Sequence, residues 1–238
     1  MKSKLISIIF TAALLSLAEA GFAQGFVNLN FESANIPMST ETGWPIPFSE
    51  GLPGWTGYFI SSTATNQALQ AVYDGIPLSG NTIAIVDAND ANVGFGFPPI
   101  QGNYSVFLCG GYGNGGSVYA AQISQSGLVP SGTKSIQFEA MTNYSLPFSV
   151  TLGGQAIDMS PLGVFSNYTL YGGNIASSLA GQIETLSITE SAPPYGSPGA
   201  SYFGLDNISF STQSIPEPSS FALAALGALF LGFCRRRR

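Results

Sequence analysis

Between Gln24 and Ser214 the chain is a succession of short apolar runs broken by Gly, Pro, Asn and Ser, and no helical periodicity of any length interrupts it. Without helices to serve as crossovers, the strands must be joined by hairpins and loops, which leads to an antiparallel sandwich or jelly roll. The runs predicted to be strands are 26–31, 55–60, 82–86, 104–109, 118–124, 135–141, 148–152, 155–159, 168–171, 184–189 and 202–210. The clearest local signal is Gly153-Gly154 between Phe148-Ser149-Val150-Thr151-Leu152 and Gln155-Ala156-Ile157-Asp158-Met159. Two glycines between alternating segments suit a two-residue hairpin whose turn needs positive φ. No fixed-period repeat marks a propeller or a solenoid.

Composition agrees and narrows the function. Only 8% of the residues are charged while 12% are aromatic, the reverse of a disordered polyelectrolyte. Lys2 and Lys4 open the chain and Arg235, Arg236, Arg237 and Arg238 close it, leaving Lys134 as the one basic side chain between them. A body with one cation neutralises few phosphates, so nucleic acid is not an expected partner. Histidine is absent, which removes the commonest general base and imidazole metal ligands. Cys109 and Cys234 build neither a disulfide framework nor a thiolate zinc site. Cys109, at the end of Ser105-Val106-Phe107-Leu108-Cys109, reads as a small core residue.

The two ends carry the cations because they read as addresses. Met1 to Lys4 is a positive n-region, residues 5–17 are an apolar h-region too short for a comfortable span, and small residues follow. Signal peptidase is expected to cut after Ala23, leaving Gln24 as the mature N-terminus. At the other end Pro216-Glu217-Pro218 breaks any helix. Ser219 and Ser220 can cap the apolar helix that runs to Phe233 before the arginines. From 219 to 234 that helix would reach about 24 Å, short of the roughly 30 Å hydrocarbon core. The arginines are expected on the cytoplasmic side, where snorkelling extends their reach. A permanent tail anchor is the plain alternative.

Pro-Glu-Pro, short apolar helix and terminal arginine cluster, in that order, resemble the PEP-CTERM sorting signal of exported bacterial proteins. The resemblance implies an exosortase, a membrane cysteine protease or transpeptidase, that removes the tail near Pro216, Glu217 and Pro218. The product is released or attached at the cell surface or in the extracellular polymer matrix. The expected organisation is therefore a signal peptide (1–23), a β-sandwich ectodomain (24–214) and a sorting tail (215–238). The membrane is met only through that tail.

Several phrases of the body resemble β-sandwich ectodomains related in style to galactose-binding and carbohydrate-binding jelly rolls. They include Asn28-Leu29-Asn30-Phe31-Glu32-Ser33, Leu52-Pro53-Gly54-Trp55, Pro99-Ile100-Gln101-Gly102-Asn103-Tyr104-Ser105 and Gly204-Leu205-Asp206-Asn207-Ile208. In such folds a structural calcium joins the first strand to the last, and Glu32 and Asp206 are the matching positions; the alternative is that both are capping carboxylates. Asp87-Ala88-Asn89-Asp90-Ala91-Asn92 lacks the Gly and distal Glu of an EF-hand and reads as an ordinary turn. Trp44, Trp55, Tyr58, Tyr112, Tyr119 and Tyr195 could supply a sugar-stacking platform; Trp55 reads as a core anchor, and Tyr112, in the glycine-rich loop 110–116, as the most exposed. That loop lacks the Lys-Ser/Thr ending and following helix of a phosphate cradle. No paired carboxylates and no Gly-x-Ser-x-Gly elbow stand out, so no catalytic residue is assigned and no cofactor beyond calcium is expected. The expected role is structural or adhesive with contact to extracellular polysaccharide. The rival is a surface glycoside hydrolase working by carboxylates alone.

Overall fold

The computed structural model describes residues 24–37, 40–75, 80–88, 98–112, 117–143, 147–191 and 202–216. The expected signal helix and tail helix lie outside these residues. Along the described chain the strands are β1 (Pro45–Pro47), β2 (Thr56–Ile60), β3 (Thr65–Ala68), β4 (Gln70–Tyr73), β5 (Thr82–Asp87) and β6 (Tyr104–Cys109). They continue with β7 (Gly111–Tyr112), β8 (Val118–Leu128), β9 (Ser135–Asn143), β10 (Phe148–Leu152) and β11 (Gln155–Ile157). The last four are β12 (Ser160–Val164), β13 (Thr169–Asn174), β14 (Ile183–Glu190) and β15 (Tyr202–Ser211). One sheet runs β1-β4-β5-β6-β15-β9-β13-β12; the other runs β11-β10-β14-β8-β2-β3, with β7 beside β8. From β8 onward the chain passes repeatedly from one sheet to the other, which makes an all-β, antiparallel sandwich of the jelly-roll kind. The pair β4–β5 is the one parallel neighbour among the described strands.

Alternation supplies the layer between the sheets. Ile136, Phe138 and Ala140 of β9 point inward, as do Ile123 of β8 and Leu186 and Ile188 of β14. Phe138 meets Phe148 at 5.8 Å and Phe203 at 6.1 Å, both edge to face, and Phe148 stacks on Phe203 at 4.5 Å. Phe148 belongs to the smaller sheet and the other two to the larger, so these rings bind the layers together. Each fully buried ring contributes on the order of 2–3 kcal/mol relative to exposure.

β5 and β6 are buried along nearly their whole length. Their outward residues Ala84, Val86, Phe107 and Cys109 form a second apolar cluster with Tyr202. Burial on both faces is why these two strands read as continuous apolar runs rather than alternating ones. Cys109 is fully buried, and that burial, with Glu190 nearby, lifts its thiol well above the usual range. The outer face of the smaller sheet is built of hydroxyls and amides instead. Ser149 faces Thr189, Thr151 faces Ser187 and Thr185 faces Ser126 across neighbouring strands.

The Gly153-Gly154 hairpin forms as the sequence predicts: Leu152 pairs with Gln155, and the glycines take φ of 58° and 74°. One predicted strand does not form. Residues 26–31 make turns, because Asn28 and Phe31 adopt φ of 50° and 58°. The segment joins the sheets through a single parallel bridge between Gly25 and Leu128 and through Ile208 donating to the Leu29 carbonyl at 2.9 Å. The glycine-rich loop begins later than expected, since Gly110 is buried and Gly111 and Tyr112 form β7.

Candidate functional site

Among the described residues a cleft lies on the outer side of the larger sheet, where the turn between β12 and β13 overhangs β9. Residues Phe165 to Thr169, with Ala140 and Met141, line this shallow, open cleft of about 300 Å³. The Phe165 N–H donates to the Tyr168 carbonyl at 2.8 Å, which closes the turn. Their rings stack at 4.6 Å with 24° between planes, and Phe165 keeps 52% of its surface exposed. Asn167 Nδ2 donates to the Ile100 carbonyl at 2.9 Å and ties the turn to the loop before β6.

Beside the stacked rings stands Glu139 of β9. Its carboxylate accepts from Gln101 Nε2 at 2.9 Å and Asn207 Nδ2 at 3.3 Å, and it is also hydrogen-bonded to the Tyr168 side chain. Burial raises its affinity for a proton, while the bonds from Asn207 and Tyr168 oppose that rise. Directly across on β15 is Asp206, only 1% exposed. Its Oδ2 accepts from Ser105 Oγ at 2.6 Å and the Gln101 N–H at 3.2 Å, and its Oδ1 accepts from the Asn207 N–H at 2.7 Å. Burial nevertheless wins and lifts Asp206 to about 6, with a small addition from the charge of Glu139. The cleft thus offers a half-exposed aromatic face bordered by fixed acceptors and amides, which suits a ligand with an apolar face and hydroxyl edges.

Glu32 and Asp206 fasten the same loop from different segments. Glu32 Oε1 accepts from the N–H groups of Asn103 and Tyr104 at 2.8 and 3.1 Å, and Oε2 from Asn103 Nδ2 at 3.1 Å. Asp206 takes the Gln101 N–H two residues earlier and the Ser105 hydroxyl just beyond. Both carboxylates accept hydrogen bonds from this loop and from the start of β6. Among the described residues no group of three or more Asp, Glu, His or Cys is placed to hold a metal ion. The donors present form a hydrogen-bonded latch that brings Glu32 and Asp206 to one loop.

The aromatic residues expected from the sequence are scattered. Trp55 is buried, with Nε1 donating to the Asn28 carbonyl at 3.0 Å and its ring 5.7 Å from Phe31, so it anchors a loop. Trp44 is exposed before β1, while Tyr58 and Tyr119 lie half-buried in β2 and β8 of the other sheet. Tyr112 is half-buried in β7 rather than held out on a loop tip, and Tyr195 lies outside the described residues. Phe165, Tyr168 and Glu139 were not among the expected site residues. The signal available for them was Val164-Phe165-Ser166-Asn167-Tyr168, two aromatics flanking a Ser-Asn turn. Of the processing residues, Gln24 gives its carbonyl to the Leu128 N–H at 3.0 Å and Pro216 is exposed. Ala23, Glu217, Pro218 and the four arginines lie outside the described residues.

Residues 214–238 match the PEP-CTERM protein-sorting motif. The motif implies exosortase processing and passage of the chain across the membrane. Several solved structures are similar over most of the body at low identity. An apo cyclase from Fischerella sp. is 12% identical over 81% of this chain and 98% of its own, with a TM-score of 0.45. TmCBM61, solved with β-1,4-galactotriose, is 13% identical over 80% and 99%, with a TM-score of 0.34. The family 11 carbohydrate-binding module of the Clostridium thermocellum cellulase Lic26A-Cel5E is 11% identical over 75% and 99%, with a TM-score of 0.33. No curated protein matches the sequence. Among the described residues no helix is long and apolar enough to cross a membrane; the apolar run 221–233 is not among them.

Proposed function

We propose that this chain is a cell-surface or extracellular-matrix protein, delivered by exosortase after signal peptidase has cut between Ala23 and Gln24. Its β-sandwich plays a structural or adhesive part and contacts extracellular polysaccharide through the Phe165–Tyr168 cleft. The sorting motif at residues 214–238 carries the delivery half of this reading. The half-exposed stacked rings beside Glu139, Gln101 and Asn167 support the glycan half, because a pyranose offers C–H groups to a ring and hydroxyls to amides and carboxylates. Intact-mass measurement of the extracellular form tests delivery: loss of Arg235 to Arg238 is expected, and a species retaining them refutes processing. A glycan array on the folded body tests the ligand. Phe165→Ala or Tyr168→Ala should weaken any positive signal by about fivefold to tenfold, and binding unchanged in both variants refutes the cleft.

The rival reading, a carboxylate-dependent glycoside hydrolase, draws on one observation. Glu139 and Asp206 are cross-strand neighbours, and both hold protons more tightly than usual. Asp206 is nonetheless closed off and occupied by three donors, so it suits fastening a loop better than reaching a glycosidic oxygen. Polysaccharide turnover that vanishes in both Glu139→Gln and Asp206→Asn would favour the hydrolase.

A further inference from the structure

The last strand does not pass into a free linker. β15 ends at Ser211, yet the Ser135 hydroxyl donates to the Gln213 carbonyl at 2.7 Å. The side-chain amide of Asn174 then grips Ile215 twice, donating to its carbonyl and accepting from its N–H, both at 2.8 Å. The Ile215 side chain lies over the bare backbone of Gly172 beside Leu162. A Cβ on Gly172 would stand 2.5 Å from Ile215 Cδ1 and 2.7 Å from Leu162 Cδ1. The stem of the sorting motif is thus docked on the β12–β13 edge up to the residue before Pro216. From Pro216 to Phe221, where the apolar run of the tail begins, five peptide links extend about 18 Å at most.

Three further features gather at this edge. Leu162, Val164 and Phe165 are 41%, 80% and 52% exposed, half of the exposed large apolar side chains among the described residues. From Met159 to Ile183 no Asp, Glu, Lys or Arg occurs, so the edge escapes the repulsion that an acidic body meets at anionic lipid headgroups. Lys134, the sole cation between Lys4 and Arg235, is exposed beyond the Asn174 end of β13, where Ile215 docks and opposite the end that carries Val164 and Phe165. Its N–H donates to the Ser211 carbonyl, and its own carbonyl accepts from Ile175.

We propose that the β12–β13 edge is a membrane-facing surface. While the tail is in the bilayer, Leu162, Val164 and Ile215 rest on the lipid headgroups, with Lys134 at the Ile215 end of the edge, and cleavage at the motif frees the edge. This rests on the reading of the tail as a transient bilayer anchor. The short reach from the docked stem to the apolar run selects lipid as the occupant, because the edge cannot move far from the surface its tail enters.

The test uses the full chain with Cys234→Ser, since Cys109 is buried. It carries a fluorophore on a single new cysteine, in Val164→Cys or, as control, in Leu69→Cys before β4 at the opposite edge of the larger sheet. The chains are reconstituted into phosphatidylcholine–phosphatidylglycerol vesicles containing headgroup-nitroxide lipid. Quenching severalfold stronger at position 164 than at 69 is expected, and a long Gly-Ser insertion after Pro216 should remove the difference. Equal quenching in chains that co-sediment with vesicles overturns the membrane-facing edge and leaves the tail reading standing. Chains that do not co-sediment overturn both. Protection of position 164 without lipid quenching, accompanied by cross-linking between chains, overturns the proposal in favour of a second copy on this edge.

Discussion

Asp206 gives the sharpest test of how the loop before β6 is held. Its carboxyl is lifted from 3.8 to about 6 by burial, so between those values the folded state binds more protons than the unfolded one. Stability must then fall as pH rises through that window. At about 1.36 kcal/mol per pH unit, the ionised carboxylate costs the fold about 3 kcal/mol at pH 7 relative to pH 3.5. The neutral amide that Asp206→Asn puts in its place has no such titration. The assay is urea unfolding of the folded body and of Asp206→Asn at half-unit steps from pH 3.5 to pH 7, comparing the two proteins at each pH. The native chain should lose about 3 kcal/mol relative to the variant across the series, most of it between pH 4 and pH 6. Taking the difference between proteins removes the titration of the other carboxylates, apart from the part of Glu139 that Asp206 itself perturbs. A flat difference would refute the claim that burial outweighs the three hydrogen bonds. A difference of opposite slope would mean that those bonds dominate and that Asp206 is an ordinary depressed carboxylate.

Two other outcomes follow from the same loop. Gly102 sits at φ +61°, and a Cβ there would collide with the Glu32 carboxylate, so Gly102→Ala should cost about 2–4 kcal/mol in urea unfolding through backbone strain and lost Glu32 bonds; a loss under about 0.5 kcal/mol would show the latch to be slack. Removing calcium with a chelator at fixed pH should leave the thermal midpoint unchanged, because Glu32 and Asp206 are already supplied with donors. A midpoint that falls on chelation and returns with added calcium would restore the metal expected from the resemblance, since a bound ion must stabilise by mass action.

What the sequence reveals and what it withholds divide along physical lines. Segments with strong alternation or continuous apolar runs, such as 104–109 and 148–152, are found at the expected residues because burial of one or both faces leaves one register. The edge strands escape a sequence reading. β1 is Pro45-Ile46-Pro47 and β12 is Ser160-Pro161-Leu162-Gly163-Val164, and prolines and glycines are tolerated there only because an edge leaves one side of the ladder unpaired. Phe26 to Phe31 fails for the opposite reason: its apolar residues do bury, with Phe31 fully enclosed, but through turns that composition does not distinguish from a strand. The loop held by Glu32 and Asp206 was partly legible, since both residues were singled out. The phrase 99–105 that holds their partners stands out too, but the pairing does not, because the N–H groups of Gln101, Asn103 and Tyr104 carry no side-chain signature. The Phe165–Tyr168 stack depends on a four-residue turn closing over β9, a long-range placement that local pattern does not contain.

The scarcity of cations and the way this fold closes its loops have one cause. Between Lys4 and Arg235 a single lysine faces eleven carboxylates in the body, so at most a few of them can meet a side-chain cation. Carboxylates drawn into the structure must find backbone donors instead: Glu32 takes Asn103 and Tyr104, Asp206 takes Gln101 and Asn207, and Glu190 takes the Gly110 N–H at 2.6 Å. Bonds from N–H to a charged acceptor are stronger than neutral ones, and at buried positions they are screened little by salt. These three carboxylates join segments far apart in sequence, Glu32 and Asp206 to the loop before β6 and Glu190 to the one after it. An exported sandwich without histidine, disulfide framework or ion-pair network can therefore pin its long connections with acidic side chains alone. Its stability should then respond more to the burial and protonation of those few carboxylates than to ionic strength.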